Sequence, residues 1–526
     1  MENILEHVCK RSEDYLIRQN TEHRQESSQY FTPLKAARYM ASLYKLSPGQ
    51  QKVRILDPGA GTGILSVALI EMLEKAPSVR QIEVVCYETD AGAARLLKEN
   101  LTYAAANSSS EVTFRINRGN FILRGAKTWN TGSYTHGFDV VISNPPFKKL
   151  VLRDEESQVM EALCQGGPNL YVLFVALSIT YLKDGGQGIF ITPRSWTSGA
   201  YFRRFRHFLM SHCSFTHLHF ILDRTQSFAD ESVRQETMIY HVRKSHVQDE
   251  NISVTSSRTA AIDDYTEFSV PVRNVVYGEN QTVRCVTTPR QIAFLNTLEA
   301  LPERLENLGI RLASGTTVRF RHQEYLRTTP ENAAPLIRAQ HIREGRVVFP
   351  QPGVEEYVTL DKACLVTPAC DTLIFKRFTT KEERRRIQCA LYLKQDYPNF
   401  KFFSTDNMVT FLKGEEEIPL DLLYGLYVIF NSRFYDECYR LTNGSTQVNV
   451  GEINAMRLPS RTTLVEMGRA LMAKGSLSES ACDAILQDFE ICQLPPESDF
   501  SAVSKPTPWV VEEGMQSLNP AELYQA

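Results

Sequence analysis

The sequence of 526 residues lacks paired cysteines, long apolar runs and an excess of either charge. Its eleven cysteines include no C-x-x-C pair, the closest two being Cys364 and Cys370, so no zinc or redox motif is recognisable. Scattered thiols are typical of a reducing cytoplasm. No apolar stretch approaches a membrane span, and residues 1–20 are polar and charged, unlike a signal peptide. We therefore expect a cytoplasmic protein with no membrane contact and no bound metal.

The charge balance limits the kinds of partner. Lysine and arginine number 58 against 61 aspartates and glutamates, a formal net charge of −3. A chain of that charge does not attract nucleic acid over its whole surface, so such a contact must come from a local basic patch. Hydrophobic residues make up 43% of the chain, which is enough for substantial cores, and the length predicts two or three domains.

A glycine-rich stretch follows the first apolar strand. Residues 53–56 are predicted as a short strand, Asp57-Pro58-Gly59-Ala60-Gly61-Thr62-Gly63 as a loop, and residues 64–75 as a helix. Glycines let the backbone approach a ligand closely, and the following helix N-terminus favours polar groups of that ligand. No lysine follows the last glycine, which excludes the phosphate loop, and the spacing is not G-x-G-x-x-G. An adenosine ligand without phosphates fits better.

Strands and helices continue to alternate as far as residue 143. The strand 82–87 ends at Glu88, an acid that could accept both hydroxyls of a ribose. A helix (91–101) follows, then a strand (112–116) that leads to Asn120-Phe121, and a strand (138–143). The alternation predicts a parallel sheet with its ligand site at the carboxyl ends of the strands.

The last of these strands leads into Asn144-Pro145-Pro146-Phe147. The prolines fix the backbone and remove donors, so the loop holds one shape. The Asn144 side chain and the Pro145 carbonyl offer acceptors, and Phe147 offers a flat face. This set suits an exocyclic amine on a flat heterocycle, whereas the alternative is an ordinary turn that ends a strand.

The motifs D-P-G-A-G-T-G, an acid ending the next strand, and N-P-P-F together resemble the S-adenosylmethionine-dependent DNA adenine-N6 methyltransferases. Their order, with extra sequence after both motifs, matches the gamma class, which is typical of bacterial restriction–modification systems. Residues 29–245 resemble this class strongly and the remainder loosely. Tyr30-Phe31-Thr32-Pro33 resembles the N-terminal cofactor motif of the class; taken alone, Thr32 would be a helix N-cap with Pro33 at the first helical position.

The resemblance implies roles for individual residues, with S-adenosylmethionine as the cofactor. The catalytic residues would be Asn144, Pro145, Pro146 and Phe147. The family usually has aspartate where this chain has Asn120, and it places a second aromatic from the later strands against the target base. Our candidate for that aromatic is Tyr240, with Phe228 behind it. The cofactor-binding residues would be Tyr30, Thr32, Asp57, Pro58, Gly59, Gly61, Gly63, Glu88, Asn120 and Phe121.

The predicted fold class is α/β, a Rossmann-like methyltransferase sheet that is mostly parallel, with an antiparallel hairpin at its edge formed by strands 217–222 and 237–242. A C-terminal α+β target-recognition domain follows. The predicted boundaries are a helical extension (1–28), the catalytic domain (29–247), a linker region (248–307), the target-recognition domain (308–460), and C-terminal helices with a loose tail (461–526).

A local basic patch occurs in the C-terminal half. Residues 311–346 contain seven arginines and only three glutamates. Arginine forks suit phosphates and guanine edges, although a solvated charged face has the same composition. The pattern from Leu308 to Pro459 resembles the target-recognition domains of restriction–modification specificity proteins. Predicted DNA-binding residues are Arg319, Arg321, Arg338, Arg343, Lys376, Arg377, Asn443 and Gln447.

We therefore expect a site-specific DNA adenine-N6 methyltransferase that flips its base out of the duplex and works as a monomer beside a separate restriction endonuclease. Two alternatives remain open. One is a methyltransferase of RNA adenine or protein glutamine, because N-P-P-aromatic loops also serve those enzymes. The other is a non-catalytic DNA-specificity protein. No acid–lysine nuclease core is recognisable in the chain.

Overall fold

The structure is a computed structural model that describes residues 3–18, 32–132, 137–164, 166–222, 236–262, 264–351, 356–380, 383–443 and 447–492. The chain divides into two compact units, Met1–Pro289 and Arg290–Ala526. Within the ranges just given, no helix is both long and apolar enough to cross a membrane.

The first unit is built on a nine-stranded sheet with the strand order β3-β2-β1-β4-β5-β7-β6-β8-β9. The first five strands in this order are parallel, and β7 pairs antiparallel with both β5 and β6. The Rossmann-like α/β sheet with an antiparallel pair is thereby confirmed. The predicted position of this pair at the edge is wrong, because β8 pairs with β6 and places the pair inside the sheet. The strands are β1 (Lys52–Asp57), β2 (Gln81–Glu88), β3 (Glu111–Arg118), β4 (Phe138–Ser143), β5 (Leu182–Pro193), β6 (Cys213–Ile221), β7 (Thr237–Lys244), β8 (Asn251–Ser257) and β9 (Tyr265–Pro271).

Helices cover both faces of the parallel half, which is why its central strands are nearly continuous apolar runs. In β4, Val140, Val141 and Ile142 are fully buried. The helices of this unit are Ile4–Ile17, Leu34–Ser42, Ile64–Leu73, Ala91–Asn107, Phe121–Thr131, Glu155–Val159, Leu170–Tyr181, Arg203–His212 and Val272–Val275.

Both predicted ends of the catalytic domain need correction. The sheet does not end with β7, because β8 pairs parallel with β6 and β9 pairs antiparallel with β8, so the region predicted as a linker belongs largely to the sheet. At the other end, the helix Ile4–Ile17 is not a separate extension. It buries Leu5 and Val8 in the same core as β1, and Ser12 Oγ lies 2.8 Å from Thr62 Oγ1 of the glycine loop.

The second unit combines two sheets with helices, as the α+β prediction requires. The six-stranded sheet has the order Ile310–Ser314, Val409–Gly414, Thr372–Lys376, Cys389–Tyr392, Arg346–Val347 and Ile342–Arg343. The five-stranded sheet has the order Leu326–Arg327, Tyr357–Thr359, Ala333–Ile337, Phe402–Thr405 and Thr367–Pro368. The longer helices are Pro289–Glu299, Leu420–Phe430, Arg433–Thr442, Arg461–Lys474 and Glu479–Asp488.

The predicted boundary at residue 460 is wrong. Leu464 and Met467 of one C-terminal helix and Ile485 of the next lie in the same hydrophobic core as Leu373 and Phe375 of the six-stranded sheet. Amphipathic periodicity predicted these helices but not what their apolar faces pack against. The C-terminal helices are therefore part of the second unit.

Two glycines allow the helices Leu420–Phe430 and Arg461–Lys474 to cross at close range. A Cβ atom on Gly425 would lie 1.9 Å from the Leu464 carbonyl oxygen, and one on Gly468 would lie 1.8 Å from the Asp421 carbonyl oxygen. Backbone atoms cannot move aside as the end of a side chain can, so the crossing requires glycine.

We predict that Gly468→Ala lowers the free energy of unfolding of the second unit by about 2 kcal/mol or more, because the added methyl forces the two helices apart. Gly451→Ala is the matched control, since it also lies in a helix but a Cβ there meets nothing within 4 Å. Denaturant unfolding of the full chain measures both variants. Equal stability of the two would contradict the close crossing.

Candidate functional site

A cleft of about 270 Å³ lies at the carboxyl ends of the parallel strands and brings most of the predicted site residues together. The predicted residues that line it are Thr32, Pro58, Gly59, Gly61, Glu88, Asn120, Phe121, Asn144 and Pro146. Further lining residues are Ala60, Thr62, Ile64, Leu65, Tyr87, Thr89, Gly119, Lys148, Leu170 and Phe174. Thus the glycine loop, the acid of β2 and the N-P-P-F loop share one cleft.

The glycine loop and the N-P-P-F loop are direct neighbours. A Cβ atom on Gly59 would lie 3.9 Å from Pro146 Cδ and 4.0 Å from the Asn144 carbonyl oxygen. Gly63 plays a different part and does not line the cleft. It precedes the helix Ile64–Leu73 with φ +92°, and a Cβ there would lie 2.6 Å from Leu97 Cδ1. This glycine is needed for the turn and the helix packing.

Glu88 is held by backbone donors on both oxygens. Its Oε2 accepts a hydrogen bond from Gly61 N and its Oε1 accepts one from Asp90 N, each at 2.8 Å. Burial raises the pKa of this carboxyl. A carboxylate can accept about four hydrogen bonds. The backbone N–H of Thr89 also donates to this one, so about one acceptor site remains for a hydroxyl group of a ligand. A ribose hydroxyl of S-adenosylmethionine could donate the hydrogen bond that this carboxylate can still accept.

Asp57 lies at the end of β1 and is buried rather than part of the cleft lining. Its Oδ2 accepts a hydrogen bond of 2.8 Å from Ser66 Oγ. Burial raises the pKa of this carboxyl to about 7, and the nearby Glu88 carboxylate adds to the shift. Asp57 and Glu88 place two carboxyls at the same edge of the sheet, which favours a cationic ligand. S-adenosylmethionine carries both a sulfonium and an ammonium group. The residues present therefore fit this cofactor.

The N-P-P-F loop is tied to the segment before the second helix. Asn144 Nδ2 donates to Thr32 Oγ1 at 3.3 Å. The interpretation of Thr32 as a helix N-cap is wrong, because the helix Leu34–Ser42 has Pro33 at its N-cap position and no side-chain cap. Pro145 is buried, and the half-buried ring of Phe147 meets the Tyr171 ring edge-on at 6.2 Å. Tyr30 lies outside the described residues.

Asn120 and Phe121 form one wall of the cleft. Asn120 caps the helix Phe121–Thr131, with Oδ1 accepting from Ile122 N at 2.9 Å and from Leu123 N at 3.2 Å. Its Nδ2 donates to Glu156 Oε1 at 2.7 Å. The ring of Phe121 packs against the rings of Tyr87 and Phe174 with centroid distances of 5.1 and 5.4 Å.

The prediction for Tyr240 is wrong for this structure. The residue is fully buried in β7, and its ring packs against Phe190 and Trp196. A ring enclosed in this way cannot stack on an incoming base without rearrangement of the core. Phe228, the second candidate, lies outside the described residues.

The predicted DNA-binding residues of the second unit differ widely in exposure. Arg321 and Arg343 are exposed, whereas Arg319, Arg338, Lys376, Arg377 and Gln447 are half-buried. Asn443 needs correction because it is only 1% exposed. Its Oδ1 accepts from Arg386 Nη2 at 2.8 Å and its Nδ2 donates to Glu452 Oε2 at 2.6 Å, so it belongs to a buried polar network.

Among the residues around the cleft that sequence reasoning missed, three have side chains that bear on its chemistry or its walls. Lys148 and Phe174 line it, and Glu156 contacts Asn120. Phe174 lies on the helix Leu170–Tyr181, which is apolar on every side, so its periodicity does not mark the face at the cleft. Lys148 directly follows Phe147, and that position was its only signal. In the described part of the chain, no group of three or more His, Cys, Asp or Glu could hold a metal ion.

This chain is similar in sequence to methyltransferases of restriction–modification systems. The model of the Eco57I restriction-modification methylase family matches residues 70–228. The chain is 30% identical over 479 residues to the Type II methyltransferase M.PstI of Providencia stuartii, which covers 88% of this chain and 92% of that protein. It is 28% identical over 460 residues to the Type II methyltransferase M.BsuBI of Bacillus subtilis, covering 85% and 90%. The structure of the type IIG restriction endonuclease BpuSI aligns with a TM-score of 0.45 at 14% identity, covering 93% of this chain and 68% of that chain.

We predict that Asp57→Asn flattens the pH dependence of stability of the cofactor-free protein. The pKa of Asp57 rises from an ordinary value of 3.8 to about 7 on folding, so the folded state binds this proton more tightly than the unfolded chain does. The stabilisation is complete below about pH 4 and is lost as the pH rises through about 7. The asparagine variant has no proton to lose.

Denaturant unfolding of both proteins at pH 5 and pH 8 measures this difference. Asp14→Asn, at an exposed position of the helix Ile4–Ile17, is the control and should keep the wild-type dependence. A wild-type dependence retained in Asp57→Asn would show that the buried carboxyl is ionised throughout this range.

Proposed function

This chain belongs to the Type II methyltransferases of restriction–modification systems, and we propose that it methylates N6 of adenine at a specific sequence in duplex DNA. It is accordingly a DNA methyltransferase, and its cofactor is S-adenosylmethionine, as the motifs predict. The adenine specificity, the extrusion of the target base and the roles of the site residues are what we propose.

One observation carries the proposal: Gly59 and Gly61 of the glycine loop, Glu88 and Asn144 line the same cleft. A cofactor held by the glycine loop and Glu88 would lie beside the N-P-P-F loop. The acceptor atom must then be a group that Asn144 and its neighbours can hold. An exocyclic amine on a flat base has the required hydrogens and shape.

The chemistry follows from the weakness of the nucleophile. The lone pair of an adenine amino group is delocalised into the ring, so the nitrogen attacks poorly. S-adenosylmethionine supplies an activated methyl group. Asn144 Oδ1 and the Pro145 carbonyl would accept the two amino hydrogens and localise the lone pair, while the ring of Phe147 holds the base flat. Catalysis by this chain then consists of positioning and hydrogen bonding.

Access to the base requires it to leave the stack, at a cost of about a few kcal/mol, which groove and phosphate contacts offset. The exposed Arg321 and Arg343 of the second unit are candidates for such contacts, since arginine binds phosphates and guanine edges with two donors at once. We propose that the enzyme works as a monomer in the cytoplasm and protects DNA from a separate restriction endonuclease that recognises the same sequence.

We predict that Asn144→Ala lowers methyl transfer by about a thousandfold while changing the affinity for S-adenosylmethionine little. Loss of one preorganised hydrogen bond to the reacting group costs a factor of this size in other enzymes. Tritium transfer to DNA and calorimetric titration with the cofactor measure the two quantities. Asn107→Ala, at an exposed helix end, is the control. Near-normal turnover in Asn144→Ala would refute the catalytic assignment.

The acceptor class is tested by tritium transfer from the labelled cofactor to duplex DNA, RNA and protein in separate reactions. We expect incorporation into duplex DNA, with binding that weakens steeply as the salt concentration rises, because phosphate contacts release counterions. Incorporation into RNA or protein alone would contradict the proposed substrate.

A further inference from the structure

Glu156 has no role in the chemistry described above, yet its carboxylate contacts the wall of the cofactor cleft. It lies on the short helix Glu155–Val159, which follows the N-P-P-F loop in sequence. Its Oε1 accepts the 2.7 Å hydrogen bond from Asn120 Nδ2, and Asn120 lines the cleft beside Phe121. A charged acceptor makes this a stronger hydrogen bond than one between neutral groups.

The hydrogen bonds of Asn120 determine whether its side chain offers a donor or an acceptor to a ligand in the cleft. Both acceptor sites of Oδ1 are used by Ile122 N and Leu123 N, and one of the two Nδ2 hydrogens is used by Glu156. The reversed orientation of the amide would set its NH2 group against two backbone donors. The amide therefore keeps a second N–H, so the group that Asn120 can offer to a ligand in the cleft that it lines is a donor.

We propose that Glu156 is a positioning residue for S-adenosylmethionine. Through Asn120, which the family resemblance assigns to the cofactor, it fixes an amide that can pair with the edge of the cofactor's adenine. It also ties the segment after the N-P-P-F loop to the cofactor wall. Its negative charge at the N-terminus of the helix Phe121–Thr131 adds a favourable interaction with the helix dipole. The inference depends on the cofactor of the family and not on the identity of the methyl acceptor.

The segment that carries Glu156 lies between the N-P-P-F loop and the next long helix, and backbone hydrogen bonds join its two ends. Leu150 N donates to the Pro168 carbonyl and Leu170 N donates to the Lys148 carbonyl, each at 2.8 Å, and Lys148 and Leu170 line the cleft. Arg204 Nη1 also donates to the Cys164 carbonyl of this segment at 2.8 Å. The Asn120–Glu156 hydrogen bond adds a further attachment, at the wall formed by Phe121. Loss of this hydrogen bond should therefore weaken cofactor binding more than it lowers the stability of the fold.

The test reverses the direction of the hydrogen bond. Glu156→Ala removes the acceptor, and Glu156→Gln keeps an acceptor oxygen without the charge. Asn120→Asp alone sets two carboxylates 2.7 Å apart in the wild-type geometry, where they repel. Combined with Glu156→Gln, it restores a hydrogen bond that now runs from residue 156 to residue 120. Adenine offers both a donor and an acceptor at its edge, so it can pair with either arrangement.

We predict that Glu156→Ala raises the Kd for S-adenosylmethionine by about tenfold or more, as expected for a lost hydrogen bond to a charged group. Glu156→Gln should stay within about threefold of the wild type, since a neutral hydrogen bond remains. Asn120→Asp should bind weakly, and the double variant should recover most of the affinity. Calorimetric titration of the full chain measures Kd, and thermal unfolding in parallel reports on folding.

Glu155→Ala is the matched control, because this neighbour is exposed on the same short helix. A lower melting temperature of Glu156→Ala with an unchanged Kd would overturn the proposal, since Glu156 would then support the fold only. So would a double variant that binds as weakly as Asn120→Asp. The titration needs no DNA, so an unchanged Kd would refute the role of Glu156 without contradicting the proposed substrate.

Discussion

The parallel pairing of β1 with β2 and with β4 is the constraint on which the cleft depends. Because the three strands run in the same direction, their carboxyl ends meet at one edge of the sheet. Asp57, Glu88 and Asn144 come together there although they are far apart in sequence. The glycine loop and Glu88 on one side of the cleft and the N-P-P-F loop on the other are thus built from adjacent strands of one sheet, and no separate lobe is needed to join them.

Two buried carboxyls make this edge sensitive to its ligand. Burial raises the pKa of both Asp57 and Glu88, and only a few donors compensate, among them Ser66 Oγ and the backbone N–H of Gly61. The N-terminal helix stabilises the same edge through Ser12, at the glycine loop, and through Tyr15 OH, which donates to Asp90 Oδ1 at 3.1 Å. S-adenosylmethionine is a cation with ribose hydroxyls, so it would supply positive charge and hydrogen-bond donors to these carboxyls. Its binding should therefore also stabilise the first unit.

The strand ends that carry the motifs could be predicted from sequence because apolar runs, glycines and prolines report local backbone geometry. The burial of Tyr240 could not be predicted, because β7 is buried on both faces and alternation along such a strand does not mark a side chain that reaches the site. The strands β8 and β9 were missed because their inner side chains include hydroxyls, such as Thr255, hydrogen-bonded to Tyr39 and His219. Asn443 was misjudged because its partners Arg386 and Glu452 meet it only after folding.

We propose that the shared cleft directs a methyl group to N6 of adenine at one DNA sequence. The most direct measurement is sequencing of methylated bases in DNA from cells that express the protein, with cells that express Asn144→Ala as the reference. We expect N6-methyladenine at a single recurring sequence with the wild type and none with the variant. Methylation of cytosine instead of adenine, or unmodified DNA in cells that contain the folded wild-type protein, would contradict it.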